Sequence, residues 1–305
     1  MRVIGVDENG LGPRLGPLVA SLVAIDIRVY QPQRLFRLGR ALGIDDSKRV
    51  ASFGHMAHVE GLALAMLEAL SGEVPKTSDD LIRLVSLEPI EHLQAPCPRA
   101  SFTQCWHTDD KVFLPAFGGH TDEGRAIVRA LSQAGVMLRS WRSAIACAGV
   151  LNGEAKRGRN RLQVNLGLFE RLVRHARKES ASDIQAICGM VGGIRSYADY
   201  VEFFAKEDLC PLPTGAGTRR YRIEGFGELR FAVGADGHHL PVALASMVGK
   251  YVRELCMLRA HHFYARGDRE LQKVSGYHDP LTARFVRRTA KLRRQLGIAP
   301  ECFER

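Results

Sequence analysis

Acidic residues are in short supply in this chain of 305 residues. Asp and Glu number 33 against 43 Lys and Arg, which leaves a formal net charge of +10. That balance disfavours a cationic partner and points first to an anionic one, nucleic acid above all. Paired cysteines are lacking too. The seven cysteines are scattered, odd in number and without a Cys-x-x-Cys pair, so a disulfide framework is not expected. No apolar run reaches the roughly 20 residues needed to cross a bilayer. The opening Met-Arg-Val-Ile-Gly-Val-Asp is too short and too acidic for a secretory signal. A reducing cytoplasm with free thiols and no membrane contact is the reading. Internal repeats and low-complexity tracts are also missing, and 46% apolar residues suffice for a sizeable core in one large domain or two small ones.

The most informative stretch is Asp7-Glu8-Asn9-Gly10-Leu11-Gly12-Pro13, directly after the apolar run Val3-Ile4-Gly5-Val6. Two adjacent carboxylates held in a cleft repel each other and lose hydration, and a divalent cation relieves both costs. A second apolar run, Leu18 to Ile25, follows the glycine turn, so residues 3–27 read as a hairpin. Apolar spacing predicts helices over 55–71, 125–133, 161–177, 240–258 and 281–296. Ile184–Cys188 and Phe231–Ala235 read as further strands. Residues 76–124 hold three prolines within 89–98 and dispersed aromatics, and read as an irregular insertion. Strands first and helices after suggest an α/β fold with a mixed sheet.

Three more segments carry candidate chemistry. Asp46-Ser47-Lys48 offers a cation beside a hydroxyl, suited to a phosphate, and equally a helix N-cap. Ala235-Asp236 places a carboxylate at a strand end, before a helix with Ser246, Lys250 and Arg253. Ser275-Gly276-Tyr277 and Asp279-Pro280 form a loop into a helix carrying Arg284, Arg287, Arg288, Lys291, Arg293 and Arg294. Within the insertion, Cys97, Cys105 and His107, with His92 or His120 near, have no standard zinc spacing and read as free side chains. His238-His239 and His261-His262 read as surface or internally satisfied histidines.

Together these motifs resemble ribonuclease HII, the type 2 ribonuclease H family. The family's Asp-Glu-Ala-Gly-Arg-Gly-Pro appears as Asp7 to Pro13, its Gly-Pro-Val-Val as Gly16-Pro17-Leu18-Val19 and its Asp-Ser-Lys as Asp46-Ser47-Lys48. Its Ala-Asp, Ala-Ala-Ser and Lys-Val-Thr-Arg-Asp are similar to Ala235-Asp236, Leu244-Ala245-Ser246 and Lys250-Tyr251-Val252-Arg253-Glu254. Its Gly-Tyr loop is similar to Gly276-Tyr277, and Leu151-Asn152 fits its Leu-Asn before a helix. The resemblance covers residues 1–70 and 140–295.

It implies an RNase H-like α/β core over 1–255, interrupted by an irregular insertion at about 76–140, and a C-terminal helical extension over 256–305. It also implies a monomeric endonuclease acting on RNA–DNA hybrids or embedded ribonucleotides with two Mg²⁺ or Mn²⁺ ions. Asp7, Glu8 and Asp236 would be the catalytic, metal-binding carboxylates. The Gly10-Leu11-Gly12 backbone would sense a 2′-OH, Tyr277 would stack under a sugar, Lys48 and the Arg/Lys residues of the last helix would hold phosphates, and Asn9, Ser47, Ser246 and Lys250 would also bind substrate. The chain departs from the family at a third strand-end Asp, where Gly189 stands, and at the basic residue of the glycine turn, where Leu11 stands. The first departure carries an alternative: a catalytically silent nucleic-acid-binding homologue.

Overall fold

The computed structural model describes residues 1–95, 112–192, 194, 196–202, 204 and 208–305. The zinc expectation on Cys97, Cys105 and His107 lies outside the described residues. In chain order the elements are β1 (Arg2–Asn9), β2 (Leu18–Asp26), α1 (Pro32–Ala41), α2 (Ser47–Val50), α3 (Ala57–Ser71), α4 (Ser78–Val85), α5 (Ile90–Gln94) and α6 (Thr121–Gln133). Then follow β3 (Met137–Ala146), α7 (Ala148–Lys156), α8 (Arg161–Lys178), β4 (Ile184–Gly189), β5 (Cys210–Leu212), β6 (Thr218–Ile223) and β7 (Gly227–Ala232). The chain ends with α9 (Leu240–Ala265), α10 (Pro280–Gln295) and α11 (Pro300–Phe303).

A single seven-stranded sheet runs β3-β2-β1-β4-β7-β6-β5. The β1–β2 hairpin and β2–β3 are antiparallel, whereas β1, β4 and β7 are mutually parallel. Helices cover both faces, which is why β1 and β2 read as near-continuous apolar runs instead of alternating ones. Alternation along β1 sends Val3 to the face covered by α9 and Ile4 and Val6 to the face covered by α8. Gly5 makes the first contact possible, since a Cβ there would lie 2.1 Å from the Pro241 carbonyl carbon. The start of α9 therefore sits directly on the central strand.

Beyond the sheet, the end of α9 packs with α10 and α11 in a separate apolar cluster that includes Leu15, Tyr264, Phe285 and Phe303. Residue 255, where the sequence suggests a boundary, is inside the continuous helix α9. One helix thus serves both the sheet and the C-terminal cluster.

Several elements differ from expectation. The strand expected over 231–235 is β7, Gly227–Ala232. It stops early because Gly234 takes a positive φ of 58° and turns the chain into a short 3-10 turn, Ala235–Gly237. Residues 76–140 are not irregular where described. They contain α4, α5, α6 and the start of β3, and α4 opens on a capping box between Thr77 and Asp80 that outweighs the nearby prolines. The edge strand β3 exposes Met137 and Arg139 at its start and gives a weak alternating signal. Strand β6 is masked by its arginines, of which Arg220 pairs across the ladder with Glu228 at 2.8 Å.

Glu60 ties this added region to the core. Its carboxylate is fully buried. It accepts backbone N–H bonds from Ala116 (2.6 Å), Phe117 (2.7 Å) and Gly119 (2.9 Å), and one from the Tyr251 hydroxyl (2.9 Å). Removing the acceptor leaves four donors without partners, and each buried orphan costs about 1–3 kcal/mol. Glu60→Ala is expected to lower stability by about 3 kcal/mol or more in urea unfolding, and Glu60→Gln by less, because the amide oxygen keeps some of the bonds.

Candidate active site

Because β1, β4 and β7 are parallel neighbours, their carboxyl ends open at one edge of the sheet, the usual place for ligands in open α/β sheets. β1 ends in Asp7-Glu8-Asn9, β4 ends in Gly189, and the turn after β7 carries Asp236. These residues line one cavity of about 490 Å³. Every expected site residue lines it: Asp7, Glu8, Asn9, Gly10, Leu11, Gly12, Ser47, Lys48, Gly189, Asp236, Ser246, Lys250 and Tyr277. Phe53, Met190, Glu254, Ser275 and Arg253 line it as well.

Strand alternation points Asp7 toward α9 and Glu8 toward α8. The Asp7 carboxyl is raised well above the usual carboxylate range, first by burial and then by the Glu8 charge, against a bond from the Ser246 hydroxyl on α9. Glu8 is pushed up to about 7, again chiefly by burial, with the Asn165 amide of α8 drawing it down. Asp236 is raised by burial and by the carboxylate of Asp46, with Lys48 opposing. A fourth carboxylate therefore stands at this edge, beside Asp236. Asp46 also caps α2, accepting the Lys48 N–H at 2.8 Å.

Gly189 fills the position between the two acidic strand ends. A Cβ on it would lie 2.6 Å from Asp7 Oδ1 and 3.8 Å from Glu8 Oε2, so the Asp7 carboxylate occupies the space a side chain at 189 would take. Asp183 cannot substitute: it precedes β4 and pairs with Arg222 at 2.8 Å.

The remaining residues divide into those that face the cavity and those that build its walls. Lys48 and Tyr277 are exposed. The Ser246 and Ser47 hydroxyls share a 2.9 Å hydrogen bond, and Lys250 Nζ bonds the carbonyls of Ser47 and Ala51. Both therefore hold the 47–51 segment against α9. Asn9 turns its side-chain oxygen inward, into the space a Cβ at Gly249 would need. Leu11 packs partly on the α8-side core, and Arg161 of α8 approaches its carbonyl at 3.5 Å. A guanidinium thus stands near the turn although residue 11 is not basic.

Arg253 is the main element that sequence reasoning named in a motif but did not place in the site. It is buried, donates to Leu15 O (3.3 Å) and Ser275 O (2.9 Å), pairs with Glu254 (3.0 Å), and lies 5.5 Å from the Tyr277 ring centre. It joins the glycine turn to the tyrosine loop. Its spacing three after Lys250 on α9 was the available signal. Phe53 carried no motif signal. Among the histidines, His239 shares a 2.9 Å hydrogen bond with Tyr30, and burial lowers it to about 4.

The basic helix α10 is also resolved into parts. Arg284, Arg287, Lys291 and Arg294 are exposed along one face. Arg288 pairs with Asp268, and buried Arg293 packs 4.0 Å over the Phe303 ring.

The acidic donors of the cavity are all oxygen, the preference of hard cations such as Mg²⁺ and Mn²⁺. Their mutual charge and burial are what such a cation relieves, so the residue set fits one chemically. Among the described residues no three acids, histidines or cysteines stand close enough to form a ready-made cluster.

Comparison with known proteins agrees on the class. No family model matches the chain. A ribonuclease HII of Methanothermobacter thermautotrophicus is 44% identical over 50 residues, 16% of this chain and 21% of that protein. One from Clostridium botulinum is 40% identical over 47 residues, 15% of this chain and 18% of that protein. The chain thus spans about a fifth of the length of the curated relatives it matches. Among solved structures, the ribonuclease H2 of Pyrococcus horikoshii overlaps 99% of this chain and 92% of its own at 16% identity and a TM-score of 0.47. The Archaeoglobus fulgidus RNase HII of a PCNA complex overlaps 99% and 93% at 18% identity and 0.47. At that overlap they carry no weight beside the sheet itself. The mixed seven-stranded sheet flanked by helices is an α/β fold. The chain is ribonuclease HII-like. Among the described residues no helix is long and apolar enough to cross a membrane.

The carboxylates give a pH signature. Unfolded, a glutamate ionises near 4.5, whereas Glu8 in the folded protein ionises near 7. Between those values the folded state holds the extra proton, so this group's contribution to stability falls as pH rises, most steeply from about 5 to 7. Metal-free Glu8→Gln should lose that fall and be more stable than wild type at pH 8 by on the order of 2 kcal/mol. Added Mg²⁺ should raise the wild-type melting temperature more at pH 8 than at pH 5, and chelator should reverse it.

Proposed function

We propose that the chain is a divalent-metal-dependent endonuclease of ribonuclease HII type, hydrolysing the RNA strand of RNA–DNA hybrids or cutting at embedded ribonucleotides. The observation that carries this reading is the gathering of Asp7, Glu8 and Asp236 at the ends of parallel strands, in one cavity with Lys48, the Gly10–Gly12 turn and Tyr277. Bound Mg²⁺ or Mn²⁺ would supply the positive charge that stabilises both the attacking and the leaving oxygen of an in-line displacement. Asp7, Glu8 and Asp236 would hold it. Lys48 would position the phosphate, the turn would read the minor-groove 2′-OH through its backbone, and Tyr277, backed by Arg253, would set the sugar. The exposed face of α10 would follow the flanking phosphates. Arg253 acts through the two loops it joins, as a positioning residue.

Gly189 supports the second reading, a homologue that binds nucleic acid without cutting it. Asp46 adds a carboxylate beside Asp236, but it belongs to the Asp-Ser-Lys motif itself and so does not make up for the acid absent at 189.

Cleavage of a hybrid and of a duplex with one ribonucleotide, in Mg²⁺ and in Mn²⁺, decides between the two. Wild type should cut, and Asp7→Asn should reduce the rate by about a thousandfold, several kcal/mol of transition-state stabilisation. Asp46→Asn should reduce it by a smaller factor. Wild type that binds hybrid but never cuts, with cutting gained in Gly189→Asp, would establish the silent reading.

Gly189→Asp also has a structural consequence. Its Cβ must displace Asp7 Oδ1 and bring another negative charge to the same corner. The metal-free variant should be less stable than wild type by about 1–2 kcal/mol, and Mg²⁺ should restore more of its stability than it adds to wild type. Thermal unfolding with and without the ion measures both.

A further inference from the structure

Of the large apolar side chains exposed among the described residues, only two line the carboxylate cavity: Phe53, 42% exposed, and Tyr277, 50% exposed. Single exposed apolar residues on a surface are ordinary. Phe53 differs in being held in place. It sits in a tight turn closed by the His55 N–H on Ser52 O at 2.9 Å, with Gly54 at a positive φ of 80°. The base of the turn is moored to α9, where Lys250 bonds Ser47 O and Ala51 O and Ser246 bonds Ser47 Oγ.

Tyr277 is presented in a parallel way. Its loop is moored to α9 through Arg253, which bonds Ser275 O at 2.9 Å and lies against the tyrosine ring. Lys250 and Arg253, three apart, are neighbours on one face of the helix. Two aromatic rings thus line the same cavity, each on a segment bonded to its own cation of α9. Lys48, exposed at the cavity, precedes Phe53 on the same short segment.

From this arrangement, and resting on the nucleic-acid reading above, we infer that Phe53 is a second sugar-contacting residue that packs its ring on a deoxyribose of the bound duplex. A phenyl ring has no hydrogen-bonding atom. It gains by covering the C–H face of a deoxyribose, whereas a 2′-hydroxyl pressed against it loses water and finds no partner. Phe53 therefore selects against ribose at its own position, separately from the sugar at Tyr277.

The test is equilibrium binding by fluorescence anisotropy, in EDTA so that nothing is cut. The probes are DNA duplexes with one fixed ribonucleotide and a second walked along the same strand and its complement. Wild type should show weakened binding at two ribose positions. Phe53→Ala should bind the all-deoxy flank about tenfold more weakly and lose the penalty at one position only. Tyr277→Ala should lose it at the other, and Phe53→Leu should be intermediate. The salt dependence of binding should be unchanged in Phe53→Ala, where no charge is lost, and reduced by a slope of about one in Lys48→Ala. Unfolding curves of Phe53→Ala should match wild type, since the ring is exposed. Unchanged affinity with both penalties intact in Phe53→Ala would overturn the inference and leave the proposed function standing. Equal loss of both penalties would also overturn it, by showing collapse of the turn in place of a lost contact. A wild type that binds no duplex at all would overturn both.

Discussion

Repulsion among carboxylates that share one poorly hydrated corner is the constraint around which the molecule is organised. Asp7, Glu8 and Asp236 are all raised by burial, and each by at least one neighbouring acid or by crowding at the same sheet edge. Left to themselves, such groups would separate or stay protonated. They are kept together because two of them are adjacent on the central strand β1, whose two faces are fully covered, and the third follows a strand parallel to it. The cost is offset elsewhere by the packing of a large apolar core on both faces of the sheet.

Helix α9 is the element that turns this constraint into a site. It lies directly on β1 because Gly5 has no side chain. Its residues then serve the cavity in sequence along one face. Ser246 reaches Asp7 and Ser47, Lys250 holds the 47–51 segment, and Arg253 holds the glycine turn and the tyrosine loop. The same helix continues into the C-terminal apolar cluster that positions α10 and its basic face. The carboxylates, the segment carrying Lys48, the two loops and the basic helix are thus all tied to one helix.

The position of Gly189 gives the site its individual character. Removing a carboxylate from between two others lowers repulsion, and Asp7 has taken up the room. Asp46, which belongs to the Asp-Ser-Lys motif, brings negative charge to Asp236. It is no departure, so the corner at Gly189 differs in both shape and charge.

Much of this was legible before any coordinates. The β1–β2 hairpin, α3, α8, β4, α9 and α10 follow from apolar period, because each buries a broad face and the period survives in the residues. The cavity-lining carboxylates, Lys48, Tyr277 and Gly189 were legible as motifs, since each stands in a short run of particular residue types in a particular order. The irregular reading of 76–140 failed because local capping at Thr77 and Asp80 and the buried Glu60 bonds organise it, and neither leaves a periodic trace. Strand β6 was hidden because half its residues are arginines, whose partners, Glu228 for Arg220 and Asp183 for Arg222, lie on other segments.

What residue order alone determined was therefore the class of fold, the acidic strand ends and the absence at 189, all local properties of type and spacing. Only the tertiary structure decided which of these residues face the cavity and which hold its walls. It turned Ser246 and Lys250 toward the 47–51 segment, divided the six cations of α10 between surface and interior, and brought Asp46, Arg253 and Phe53 to the site. Those outcomes depend on contacts between segments far apart in the chain, where burial, charge and hydrogen bonding are settled jointly by the packing of α9 on the sheet.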